Sequence, residues 1–101
     1  MPYAPADAAS ARLAAAARLR DALAEALRDV HRCMLGPCGE ASREAACGRL
    51  MPAVDLRNYL LELCEGDPDC PPEARALVDV ADAVLREIVD ACGALKLRAR
   101  P

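Results

Sequence analysis

Residues 71–97 carry apolar side chains at three- and four-residue steps over nearly their whole length, a spacing that selects a helix with one greasy side. Leu77, Val80, Ala81, Val84, Ile88, Ala91, Cys92 and Leu95 form the stripe. Asp79, Asp82, Arg86, Glu87 and Asp90 turn away from its centre. Pro72 suits the first turn, where the amide it lacks has no partner anyway, and Glu73 sits near the positive end of the helix dipole. Such a stripe needs partners to cover it.

The rest of the chain reads as those partners. Residues 8–34 are Ala-rich and free of Gly and Pro, with Leu13, Ala16, Ala17, Leu23, Leu27, Val30 and Met34 along an inner stripe. Gly36-Pro37-Cys38-Gly39 punctuates the end of that helix. Residues 40–51 predict a second helix and 53–65 a third, with the break assigned to Pro52. Gly66 is a helix stop, and 67–72 form a rigid, Pro-rich turn. The expected fold is all-α: a small antiparallel bundle of three legs made from four helices. Each leg of about 26 residues would run about 39 Å. Residues 8–97 form the single domain, 1–7 a flexible N-terminal arm and 98–101 a basic C-terminal tail.

With no Trp or Phe, and with Tyr3 and Tyr59 as its only aromatic residues, the core must be built from Leu, Val, Ala, Met and Cys. Small side chains let helices approach closely but bury little area each. A core of that kind gains from covalent staples, and the six cysteines of this 101-residue chain are an even number suited to them. Leg heights pair Cys64 with Cys70 at one pole. They then favour Cys47 with Cys92 across two legs, leaving Cys33 with Cys38 around the Gly36-Pro37 turn. The alternative pairs Cys33 with Cys92 and Cys38 with Cys47.

The net charge of −3 is unevenly spread. Residues 55–90 hold ten acids against Arg57, Arg75 and Arg86. No basic face is available for phosphate, which argues against a nucleic-acid partner. No apolar run approaches the ~20 residues of a membrane span. Residues 1–5 lack the basic region and apolar run of a secretory signal, so a secreted form would have lost its leader. Catalytic residue types are sparse: there is no Thr or Gln, Ser10 and Ser42 are isolated, and His31 is the lone histidine. No glycine loop cradles phosphate. His31, Cys33, Cys38 and Cys47 have the ligand count of a structural zinc site, but their spacing follows no usual zinc pattern. No cofactor and no metal is expected.

Absent catalytic chemistry together with paired cysteines points to a non-enzymatic protein-binding module, a disulfide-stabilised domain of an extracellular or lumenal protein. Its contact residues are expected at Tyr59 and on the Ala-rich first helix at Leu13 and Leu19, a helix that also offers a seam for self-association. The alternative is a structural or assembly subunit of an intracellular complex, mitochondrial or cytoplasmic, with reduced or partly bridged cysteines. A Cys/His metal-binding protein is the third reading.

Overall fold

The computed structural model describes residues 5–99, all-helical apart from short turns. Helix α1 spans Pro5–Leu35, α2 Glu40–Cys47, α3 Leu50–Cys64 and α4 Pro72–Ala99. Of the expected N-terminal arm, residues 1–4 lie outside the described residues, and 5–7 belong to the first turns of α1. Of the expected basic tail, residues 100 and 101 lie outside them, while Arg98 is in the last turn of α4.

The three legs are α1, the α2–α3 pair and α4. Short turns reverse the chain twice, so α1 and α4 run parallel with the middle leg antiparallel to both. The body measures 59 × 23 × 16 Å, a long bundle three helices in section. The first reversal occurs at Gly36–Gly39, as expected. The second follows α3, where Gly66 adopts φ +73°, a left-handed conformation that carries no steric penalty without a Cβ.

The break in the middle leg is not at Pro52. It falls at Gly48 and Arg49, and Pro52 is the third residue of α3. The first four amides of a helix have no partner within it, so the missing proline amide leaves nothing unpaired there. The Ala53 amide, next in the chain, already donates to the Arg49 carbonyl at 3.3 Å.

Two buried clusters fill the interior. Toward the Cys64 pole, Ala15, Ala16, Leu19 and Leu23 of α1 meet Ala53, Leu60 and Cys64 of α3 and Ala74, Val78, Ala81 and Leu85 of α4. Toward the other pole, Ala26, Val30 and Cys33 meet Ala46 of α2 and Ile88, Cys92 and Leu95 of α4. The α1 series 16, 19, 23, 26, 30, 33 and the α4 series 74, 78, 81, 85, 88, 92, 95 step by three and four alternately, the heptad seam of coiled-coil packing. Fully buried alanines at 26, 46, 53, 74 and 81 set the close approach of the helices. Among the described residues no polar or charged residue is buried.

The seam is rotated from the expected stripes. On α4 the buried arc centres on Val78, Leu85 and Ile88, and Val80 is left 52% exposed. On α1, Leu13 and Met34 are exposed at 47% and 37%, while Leu19 is fully buried. Both helices are apolar over more than one face, so periodicity alone allows two rotations. The need to touch two neighbours at once selects this one.

Candidate functional site

The α2–α3 leg covers one side of the α1–α4 pair. The other side holds a shallow groove with two depressions, each lined by α1 and α4 alone. One, about 450 Å³, lies among Leu13, Ala16 and Arg20 of α1 and Leu77 and Val80 of α4, with Glu73 at its edge. The other, about 500 Å³, lies among His31, Met34 and Leu35 of α1 and Ala91 and Ala94 of α4, with Glu87 and Asp90 at its edge. Leu13, Met34 and Val80 on these floors are the large apolar residues that the rotated seam leaves outside the core. Leu35, at 89% exposed, is the most open large apolar side chain on the floors.

The rims differ in charge, with one cation, Arg20, on the α1 side and three carboxylates on the α4 side. Arg20 and His31 stand on the α1 side, and Glu73, Glu87 and Asp90 on the α4 side. His31 Nε2 faces Glu87 Oε1 at 3.3 Å across the groove. The α1 end is tied down from α4, where Arg98 Nη1 donates to the Met34 carbonyl at 3.1 Å. That bond satisfies one of the carbonyls a helix leaves unpaired in its last turn.

The expected contact residues divide. Leu13 lines the groove and Tyr59 is half exposed on α3, outside it. Leu19 is a correction: it lies wholly inside the core against α3 and α4 and offers no surface to a partner. The apolar stripes by themselves do not outline the groove. Its signal was the surplus of apolar positions on α4, where Leu77, Val80, Val84 and Ala91 are more than one seam can absorb.

The cysteines form three neighbouring pairs. Cys33 and Cys38 lie at disulfide distance around the Gly36-Pro37 turn, their Cα atoms 4.8 Å apart. Cys64 and Cys70 lie at disulfide distance across the second turn, Cα atoms 5.3 Å apart. Both separations fall within the range a bridge spans. Cys47 and Cys92 are thiols. Cys92 is buried in α4, and Cys47 of α2 packs against the same cluster within hydrogen-bonding reach of it. Burial pushes the Cys92 thiol up from 9.0 to about 12. The neighbouring Cys47 adds to the rise, and Lys96 opposes it.

The zinc candidates do not gather. Cys33 and Cys38 are occupied with each other, Cys47 turns toward Cys92, and His31 faces Glu87. Among the described residues no cluster of three or more His, Cys, Asp or Glu side chains is placed to hold a metal ion. None of their helices is long and apolar enough to cross a membrane. No family model, no curated protein and no solved structure matches this chain.

Proposed function

We propose that this chain is a non-enzymatic protein-binding module of an oxidising compartment, extracellular or lumenal, acting through the α1–α4 groove. The observation that carries the reading is an uncovered apolar trough with Arg20 and His31 on one rim and Glu73, Glu87 and Asp90 on the other. The partner it fits is a second copy of the chain. A twofold axis running along the groove lays α1 of each copy over α4 of the other, so Arg20 and His31 come to the side of Glu73, Glu87 and Asp90 at both edges. A single patch meets itself in this way without leaving a repeating open end.

The size suffices. From Leu13 to Leu35 the trough runs about 33 Å at 1.5 Å per residue. The α1–α4 face that holds it is about two helix widths, ~20 Å, across, on the order of 600 Å² per copy, the lower bound for a specific interface. The apolar floor supplies the affinity, while the exposed rim charges set register and contribute little energy.

Sedimentation equilibrium tests the reading on the full chain. The expected result is a monomer–dimer equilibrium in the micromolar range, with Val80→Arg weakening it at least ~10-fold while helix content is unchanged. A monomer at concentrations up to ~100 µM overturns the self-partner. An assembly larger than two, with six free thiols in native material, overturns the oxidising-compartment module in favour of the intracellular assembly subunit.

A further inference from the structure

We propose that Cys47 and Cys92 are the third bridge site of this fold, a covalent tie between α2 and α4 that closes by exchange with a small-molecule disulfide such as glutathione disulfide. The inference stands apart from the groove. Two of the three cysteine pairs are local, five and six residues apart, and they staple turns. Neither joins α2 to anything beyond its own flank. Yet α2 is the element in most need of an anchor. It has eight residues and no side-chain cap, and glycines adjoin both its ends at Gly39 and Gly48. A helix that short does not hold itself together in water. Its one fully seated core residue is Ala46, and the next position is Cys47, turned toward the cluster that contains Cys92.

The cysteine count supports the same pairing. With Cys33 joined to Cys38 and Cys64 to Cys70, Cys47 and Cys92 are the remaining two of six, and Cys47 already packs against the cluster that holds Cys92. A bridge between them closes a much longer loop than the other two and so removes more freedom from the unfolded chain.

Exposure assigns the order of events. Cys47 is half-buried and accessible to a small disulfide, whereas Cys92 is 6% exposed. The Cys47 thiolate attacks one sulfur of glutathione disulfide, forming a Cys47–glutathione mixed disulfide and releasing one glutathione thiolate. Cys92 then gives up its proton and attacks the Cys47 sulfur, and the second glutathione leaves. Two protein thiols are oxidised to one disulfide, and one glutathione disulfide is reduced to two thiols.

Trypsin separates the three pairs cleanly. Cys33 and Cys38 share the peptide 33–43, and Cys64 and Cys70 share 58–75; Cys47 lies on 44–49 and Cys92 on 87–96. The full chain is equilibrated with glutathione disulfide, denatured without reductant, alkylated and digested. The expected product is 44–49 linked to 87–96 at ~2 Da below the sum of the two, with no alkylated cysteine. In Cys92→Ser, the adduct of Cys47 with one glutathione, ~305 Da, accumulates. Alkylated Cys47 and Cys92 after equilibration, or either of them linked to 33–43, overturns the bridge. No adduct in Cys92→Ser overturns the assigned order of attack.

Discussion

Arg12 of α1 is ion-paired with Asp67, fifty-five positions along the chain in the turn between α3 and α4. Arg12 Nε also donates to the Leu63 carbonyl at 2.8 Å, so one side chain grips the end of α3 and the turn after it. Asp67 is shared further. Its Oδ1 accepts from the Asp69 amide at 2.8 Å, and Arg75 of α4 donates to its carbonyl. Three helices are therefore registered at this pole by one turn, beside the Cys64–Cys70 pair. Arg12→Ala removes the α1 contribution and leaves the Leu63 carbonyl to water. The expected loss is about 1–2 kcal/mol, because charged hydrogen bonds outweigh neutral ones but these groups remain partly solvated. Urea unfolding with the disulfides intact measures it; a change within error of zero sets Arg12 aside as a surface ornament.

The rotated seam gives opposite fates to two leucines of the same helix. Leu19 is fully buried and Leu13 half exposed. Leu19→Ala is expected to destabilise the monomer by about 2–4 kcal/mol, and Leu13→Ala by under ~1 kcal/mol. Denaturant midpoints taken at low protein concentration, where association does not contribute, compare them. A larger loss for Leu13→Ala than for Leu19→Ala would place the seam where the apolar pattern alone suggested it.

Two glycines predict opposite signs for the same replacement. Gly93 lies in the exposed interior of α4, and a Cβ there would meet nothing within 4 Å. Gly93→Ala is expected to stabilise by about 0.5–1 kcal/mol through helix propensity and a less free unfolded chain. Gly66, at φ +73°, has open space around it but a backbone that L side chains rarely adopt. Gly66→Ala is expected to destabilise by about 1–2 kcal/mol. Thermal unfolding of the pair reads both signs in one experiment.

Alkaline stability depends on the Cys47–Cys92 pair. An unfolded Cys92 thiol ionises near 9.0, whereas the folded one keeps its proton to about 12, chiefly through burial. Below pH 9 the two states bind the same proton, and the contribution is constant. Between 9 and 12 the folded state holds the extra proton, so stability falls as pH rises. Protein with this pair reduced is expected to lose stability steadily across that window, and Cys92→Ala to flatten the slope. A slope unchanged by Cys92→Ala would show that another group governs it.

The helices, their turns and the cysteine neighbourhoods were legible in the chain, and for local reasons. Three-and-four spacing in 71–97 has one regular solution, Gly36-Pro37 and Gly66 cannot continue a helix, and short turns force sequential legs to lie antiparallel. Leg height pairs Cys64 with Cys70 and favours Cys47 with Cys92, leaving Cys33 for Cys38. It keeps Cys33–Cys92 with Cys38–Cys47 open, and the packed structure decides between the two. Rotation about each helix axis was not legible. Alanine and valine spread round α1 and α4 make more apolar surface than one seam can bury, so the pattern could not say that Leu19 turns in and Leu13 out, or that Val78 displaces Val80. Nor could it place the middle break, since a proline near a break reads alike whether it ends one helix or opens the next. Those choices depend on which arc of each helix can touch two neighbours at once, a condition that exists only when all three legs are packed. The groove left between α1 and α4 is the remainder of that choice.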